Sequence, residues 1–319
     1  MAHVVVIGAG ISGVACARVL GAAGHRVEVL DRGWRPGGRM ALKRHGERPA
    51  DIGASYFTVS DPGFEAVVTD WEHRGLARPW TDTFATWSPA GVGTTTGPMR
   101  WAASAGLRCL VDDLAVGLSV AGSTEVQTVT VDEDGPRVDG RPCDAVVLAM
   151  PDPTARIMLA PDLADLAARL DDPYEPVLAL LTRFTERCWT DLDGMFVNDH
   201  PVISWIADDG RRRGDDAPVL VAHATPKFAE PLLATPADGA EGMVAAVREV
   251  LDLTDEPAES LVHRWTFARP AQTRDEPFAL DPRGVGVCGD SWSPRPSVQA
   301  AWLSGHRLGQ ELAASLGDR

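Results

Sequence analysis

Gly8, Gly10 and Gly13 stand at G-x-G-x-x-G spacing, and Asp31 follows at the end of the next apolar run. Residues of these types at this spacing hold a dinucleotide. The first glycine permits a tight turn, the second lets the backbone approach a pyrophosphate, and the third lets a helix pack closely on a strand. A helix starting there points N–H groups and a partial positive charge at the phosphates, and the acid accepts hydrogen bonds from a ribose diol. Arg32, beside that acid, is of the type that accommodates a 2′-phosphate, which keeps a nicotinamide dehydrogenase open. Arg35-Pro36-Gly37-Gly38-Arg39-Met40 follows directly. Its glycine pair lets the backbone pass close to a cofactor, and Arg39 can brace a diphosphate or a substrate cleft.

These side chains need a strand, a helix and a second strand to place them. Residues 3–8 are a β-branched run, Val14, Ala15, Ala17, Val19 and Leu20 recur at helical spacing, and residues 27–30 form a second apolar strand. The unit has the size of a nucleotide-binding βαβ. Residues 64–71 and 106–118 read as helices, and 80–96 as two short strands around Pro89-Ala90-Gly91. Residues 125–131, 137–138 and 145–148 read as strands. Residues 177–182, 202–207, 219–223 and 261–267 suit an antiparallel sheet in a second lobe, with polar loops such as 208–216 between them. Residues 240–251 read as a helix, 285–288 as a buried strand and 298–316 as a long closing helix.

A second literal G-x-G-x-x-G, at Gly284, Gly286 and Gly289, is a decoy. Its glycines lie inside the apolar strand, and prolines follow where a helix would have to start. Gly289-Asp290 therefore reads as a strand end, with Asp290 meeting the ribityl or pyrophosphate part of a cofactor. The helix starting near Ser297, Val298 and Gln299 would aim its N–H groups at the ring edge that gains negative charge on reduction.

Composition narrows the function class. The 319 residues include 30 basic and 45 acidic side chains, a formal net charge of −15, so nucleic acid and anionic membrane are not expected partners. Hydrophobic residues make up 45%, too many for a disordered chain. The length suggests two lobes. Lys43 and Lys227 are the only lysines, which removes most candidates for a catalytic lysine. The five cysteines contain no C-x-x-C pair and the eight histidines no H-x-x-x-H pair, so neither a disulfide scaffold nor a metal is expected. No apolar stretch reaches the length of a spanning helix. The apolar N-terminus has no leading Lys or Arg and contains three glycines, so it reads as folded structure in a cytoplasmic protein rather than a signal peptide.

Further motifs run along the chain. Gly37-Gly38-Arg39-Met40 leads to Lys43-Arg44, then Asp51-Ile52-Gly53-Ala54-Ser55-Tyr56-Phe57-Thr58, with Asp61 and Phe64 behind it. Residues 143–151, His223-Ala224-Thr225, His263-Arg264-Trp265, Ala268-Arg269-Pro270, Cys288-Gly289-Asp290 and residues 298–305 complete the set. With these motifs the sequence resembles the renalase-like flavoproteins, within the wider FAD-dependent amine-oxidase and hydroxylase-fold superfamily. The resemblance spans nearly the whole chain. Segments 51–58 and 301–305 carry it most specifically, and 291–296, with its two prolines, departs from it.

The resemblance implies an α/β protein. Its Rossmann-like FAD-binding lobe would be of the p-hydroxybenzoate hydroxylase-like kind, with a second antiparallel-sheet substrate lobe and the flavin ring at their junction. Residues 1–60, 100–155 and 271–319 would form the first lobe, and 61–99 with 156–270 the second. It implies non-covalent FAD held by Gly8, Ala9, Gly10, Ser12, Gly13, Asp31, Arg32, Gly38, Arg39, Met40, Gly53, Ala54, Ser55, Tyr56, Val126, Gly289, Asp290, Ser297, Val298 and Gln299. It also implies an oxidase that returns the 2- and 6-dihydro isomers of NAD(P)H to NAD(P)+ and makes hydrogen peroxide from dioxygen.

The residues bear on that chemistry as well. A dihydronicotinamide aromatises as it gives up hydride, so it needs orientation and no general base. An amine must first lose a proton, and many amine oxidases hold a lysine-bound water at the flavin. Of the two lysines, Lys43 is expected near a loop of the Rossmann lobe. Tyr56, Trp265 and Trp302 are candidates to wall in a flat ring, with core packing as their alternative role. His223 and Arg269 are the polar candidates, and a cation near reduced flavin assists electron transfer to dioxygen. Rival readings are an amine oxidase, a flavin-bound redox sensor without turnover and an NAD(P)-dependent dehydrogenase.

Overall fold

The computed structural model describes residues 1–46 and 48–317. Residue 47 of the expected first-lobe segment 1–60, and residues 318–319 of its segment 271–319, lie outside the described residues. The chain divides into two compact units, Met1–Arg39 with Leu110–Tyr174 and Arg269–Arg319, and Met40–Cys109 with Glu175–Ala268.

The first unit is built on a six-stranded sheet in the order Ala279–Asp281, Val285–Val287, Ala145–Leu148, His3–Ile7, Arg26–Leu30, Ser119–Ala121. Neighbours pair in parallel, with Val5 opposite Val146 and Glu28, except for the antiparallel edge pair at Ala279–Asp281. Val4–Ile7 and all of Ala145–Leu148 are buried, as expected of central parallel strands covered on both faces. The helices Ile11–Ala22 and Val298–Gly317 pack together, and a Cβ on Gly305 would stand 1.9 Å from the Ser12 carbonyl oxygen. Only glycine admits this approach. A small antiparallel sheet of Val129–Asp132, Gly135–Val138 and Arg141–Pro142 completes the unit. The strand expected from residue 125 begins only at Val129, because the Asp139 carboxylate takes the Gln127 and Thr128 N–H groups at 3.0 and 2.9 Å.

The second unit is built on a seven-stranded sheet ordered Glu259–Pro270, Tyr174–Arg183, Val219–Ala224, Ile203–Asp208, Gly194–Val197, Arg78–Ser88, Gly91–Ala102. It is not wholly antiparallel, since Gly194–Val197 runs parallel to Arg78–Ser88. The two short strands expected at 80–96 are a long hairpin, rich in β-branched threonines that favour extended backbone. Helix Ala240–Leu251 lays Met243, Ala246, Val247 and Val250 onto a core with Leu178, Leu180, Ile206 and Leu220. The helix expected at 106–118 is limited to Arg108–Leu114, with Gly106 and Gly117 at positive φ on either side.

Four segments fall on the other side of the expected boundaries, the shortest being residues 269–270, which group with the first unit. Residues 40–60 and 100–109 group with the second unit, where Ala50 and Ile52 pack on Leu181, Val219 and Val221 and Phe57 pairs with Trp101. Residues 156–174 group with the first, because Leu163, Leu166 and Leu170 fill the core beneath Val5, Leu148 and Val287. The polar loop expected at 208–216 is a short helix, Asp209–Arg213, and Asp208, Asp209, Arg212 and Arg213 are all buried.

Candidate active site

In the first unit the glycine turn is shaped for a nucleotide. Gly8 has φ +109°, and a Cβ there would lie 2.4 Å from the Ala149 carbonyl oxygen. A Cβ on Gly13 would lie 2.0 Å from the Gly8 carbonyl oxygen, so Gly13 lets the helix seat on its strand. Gly38 (φ +53°) brings its loop against the turn, where its Cβ would stand 3.2 Å from Gly10 Cα. The Gly37 N–H donates to Ala9 O at 2.9 Å. Helix Ile11–Ala22 begins without a side-chain cap and without an acid in its first turn, so its positive end suits an anion. The Asp31 carboxylate takes the Ala9 and Gly33 N–H groups at 2.5 and 2.6 Å, which fixes the turn and retains lone pairs for a diol. These cradles, which side chains would fill, fit FAD. Arg32 beside them is exposed, and Val126 is buried in the core with Leu30 and Leu148.

Two residues expected to meet the cofactor meet one another. The Arg39 guanidinium donates to both Asp290 oxygens at 2.6 and 3.0 Å. Burial opposes the Arg39 charge, but Asp290 outweighs it and raises the pKa. Tyr174 has its ring 6.0 Å from the same guanidinium, and burial, then Asp152 and Asp290, pushes its phenol up to about 12. Behind Asp290, Arg274 donates to the buried Asp152 at 2.6 Å, lies over the Trp292 ring at 4.2 Å and gives its backbone N–H to Ser291 O. Asp152 and Arg274 thus tie down the start of the divergent segment 291–296. Ser297 then caps the closing helix, accepting the Ala300 N–H on Oγ and the Ala301 N–H on its carbonyl. Val298 and Gln299 form the first turn of that helix, and Gly289 donates to the buried Ser304 Oγ at 3.0 Å. Arg269 is exposed. Trp302 is buried and stacks on His306, with centroids 4.6 Å apart.

In the second unit, segment 51–57 follows the hairpin of Leu42–His45 and Arg48–Asp51 and is held by side-chain donors, of which Trp205, Arg212 and His223 are buried and Trp265 half-buried. Trp265 Nε1 donates to Ile52 O at 3.0 Å, and His223 Nε2 lies 3.3 Å from the same oxygen. Trp205 Nε1 donates to Ser55 Oγ at 3.0 Å. Arg212 donates to Ser55 O at 3.0 Å and to Asp51 O at 3.1 Å. Gly53 and Ala54 lie between these anchors. Tyr56 packs against Phe84 (5.2 Å), Trp205 (5.8 Å) and Trp80 (6.4 Å), and Met40 is buried in the same unit. His223 Nε2, of the side chain expected as a polar group in the substrate cleft, and Trp265 Nε1, of the side chain expected as an apolar wall, are both directed at one backbone oxygen. Lys43 lies on the hairpin strand Leu42–His45, not in a loop of the Rossmann unit, and Lys43 and Lys227 are both exposed.

The sequence reading passed over the charges that organise this segment. Asp209 is fully buried and paired with Arg212, with Arg213 at 3.3 Å and with Arg48 at 2.5 Å. Burial pushes its carboxyl up, but the three arginines more than offset that and hold it below the usual range. Asp51, which accepts the Leu107 N–H at 2.8 Å, is raised by burial and by Asp209 despite Arg212 and Arg213. The signal was the i, i+3, i+4 spacing of Asp209, Arg212 and Arg213, which aligns opposite charges on one helix face.

Comparisons with known proteins agree with this geometry. Residues 72–313 match the family profile described as flavin containing amine oxidoreductase, and residues 6–71 that of an NAD(P)-binding Rossmann-like domain. Phytoene desaturase (neurosporene-forming) of Rhodobacter capsulatus is 48% identical over 61 residues, 19% of this chain and 12% of that protein. A putative flavin-containing monoamine oxidase of Mycobacterium tuberculosis is 33% identical over 113 residues, 31% of this chain and 25% of that one. The chain therefore matches at most a quarter of the length of these relatives. Among solved structures, a putative protoporphyrinogen oxidase from Exiguobacterium sp. 255-15 aligns with TM-score 0.79 at 15% identity, covering 98% and 99% of the two chains. Cyclohexylamine oxidase from Brevibacterium oxydans IH-35A aligns with TM-score 0.78 at 14% identity, covering 99% of each. At these identities the likeness is one of fold. No helix among the described residues is long and apolar enough to cross a membrane.

Proposed function

The chain belongs to the flavin-containing amine oxidoreductases, FAD-dependent enzymes, and within them we propose a renalase-like oxidase of dihydronicotinamide nucleotides reduced at the 2 or 6 position. The first unit would be the FAD-binding lobe, of the p-hydroxybenzoate hydroxylase-like kind, and the second the substrate lobe. Bound FAD supplies the hydride acceptor and the route to dioxygen, so a dihydronicotinamide, dioxygen and a proton give the aromatic nicotinamide and hydrogen peroxide.

This chain's residues would bind and orient rather than move protons. The turn at Gly8, Gly10 and Gly13 takes the pyrophosphate, Asp31 the ribose diol, and the Arg39–Asp290 pair fixes the far side of the nucleotide site. Tyr56 and the Trp265 ring wall in the flat substrate, and Arg269 is the cation for dioxygen reduction.

One observation carries the substrate reading. Oxidation of an amine requires a group to take the ammonium proton, yet both lysines are exposed and His223 Nε2 is directed at Ile52 O. Hydride loss from a neutral dihydropyridine needs no such group. Family membership favours an amine as the second reading. In air, the flavin-loaded protein should convert a 6-dihydro isomer of NADH to NAD+ with one hydrogen peroxide per turnover, leaving ordinary NADH nearly untouched. Peroxide from a monoamine such as cyclohexylamine, with none from the isomers, would establish the amine reading instead.

A further inference from the structure

We propose that the second unit carries a binding site for an organic ammonium ion that bears a hydroxyl. The site lies between helix Ala240–Leu251 and the loop 198–202, and no step of the proposed reaction uses it.

A cavity of about 550 Å³ opens there, within the size range of small-molecule pockets. Trp87, near the end of strand Arg78–Ser88, lines it, as do Asp199 and His200 of the loop and Gly242, Ala245 and Glu249 of the helix. The three helix residues stand at i, i+3 and i+7, so they share one face, and two of them add little bulk. The loop is fixed at both ends. Asn198 donates its N–H to Trp87 O at 2.8 Å, and Thr225 gives its N–H to Val202 O and its hydroxyl to Pro201 O, both at 2.9 Å. The walls are thus set before a ligand arrives, which lowers the cost of binding.

The formal charge on these walls has one sign. Asp199 and Glu249 are carboxylates, no lysine or arginine lines the cavity, and neither acid pairs with one among the described residues. The neighbouring Arg248 is spent on Glu256 and on Thr254 O. An indole ring beside two carboxylates without counter-ions is the combination that holds an organic cation, through the negative face of the ring and through charge.

His200 adds a second requirement. It is only 7% exposed, and its Nδ1 accepts the Val202 and Ile203 N–H groups at 3.1 and 3.2 Å. A ring nitrogen that accepts in this way carries no proton, so the proton sits on Nε2. That donor stands 3.7 Å from the Glu249 carboxylate, beyond hydrogen-bond reach, and has no hydrogen-bond partner among the described residues. A ligand that satisfies it must carry an oxygen acceptor close to its positive charge. A hydroxylated ammonium supplies both, whereas a simple alkylammonium supplies only the charge.

Choline is the probe, because its quaternary nitrogen has no N–H to lose and its binding cannot be confused with amine oxidation. Titration calorimetry of the full-length, FAD-loaded protein at low ionic strength should give a Kd of about 1 mM. The uncharged isostere of choline, with carbon in place of nitrogen, should give no binding heat. Tetramethylammonium, which lacks the oxygen, should bind about fivefold more weakly than choline. Trp87→Leu should weaken choline about fivefold. Trp87 also packs on the core, so the double variant Asp199→Asn/Glu249→Gln takes the same reading at two exposed positions, and asparagine tolerates the φ of +56° at residue 199. It should weaken choline about fivefold. No binding to the parent protein, an unchanged Kd in the folded double variant, or equal affinity for the uncharged isostere overturns the proposal. Tetramethylammonium binding as tightly as choline overturns the hydroxyl requirement placed on His200.

Discussion

Arg39 and Asp290 show how a side chain can be read correctly for place and incompletely for partner. Each was expected at the cofactor from its position after a strand, and the structure joins them through two hydrogen bonds. Removing Arg39 would leave Asp290, only 14% exposed, without its counter-charge. Arg39→Ala should therefore cost about 1–2 kcal/mol and release FAD on gel filtration; full flavin retention would remove Arg39 from the site. A second outcome at this scale concerns thiols. Burial pushes Cys288 up to about 12, with Ser12 partly opposing, and burial aided by Cys288 raises Cys16 well above its usual value. Reactivity follows the thiolate. Both cysteines should resist iodoacetamide in the native protein and react once denatured, and stoichiometric labelling of either in the native state would contradict the packing.

The elements that hold the site differ in how openly the sequence declares them. Backbone geometry demands glycine at Gly8, Gly13 and Gly38, so the nucleotide turn is legible from composition and spacing alone. Helix Ala240–Leu251 is equally legible, because its buried residues recur at helical spacing. Gly305 was legible as part of a motif, though not for its reason, the approach of two helices. Gly305→Ala must push Val298–Gly317 off Ile11–Ala22 and should cost about 1–3 kcal/mol, read by thermal unfolding, together with weaker flavin binding. An unchanged melting temperature would mean that the helices are less tightly seated. Strand Glu259–Pro270 supplies a pH effect. Burial, with Lys43 and Arg264 nearby, holds His263 below 6.5. Its folded pKa is thus below its unfolded one, so the unfolded chain binds more protons and stability falls as pH drops below 6.5. His263→Gln should flatten that slope in urea melts at successive pH values, and an unaltered slope would assign it to other groups.

Across the whole molecule, the legible parts are those encoded by local pattern. The discontinuous first unit was foreseen because the strands near residues 5 and 286 share one apolar character, and they belong to one sheet. The anchoring of segment 51–57 was not foreseen, because it depends on partners far apart in sequence. Arg212 reaches Asp51 O across 161 positions, and a run of aspartates and arginines reads from composition as a solvated loop. The parallel pairing of Gly194–Val197 with Arg78–Ser88 escaped for the same reason, since no local feature specifies which edge a short strand joins. Taken together, these features describe a flavin-containing amine oxidoreductase with a glycine turn shaped for FAD, and the dihydronicotinamide oxidation proposed for it asks for orientation of a donor without a proton acceptor. Anaerobic rapid mixing of the flavin-loaded protein tests that most directly. The visible flavin band should bleach in one fast phase with the 2- or 6-dihydro isomers of NADH, at a rate constant nearly independent of pH, and hardly at all with ordinary NADH. Bleaching by a monoamine that accelerates as pH rises, with none from the isomers, would contradict it.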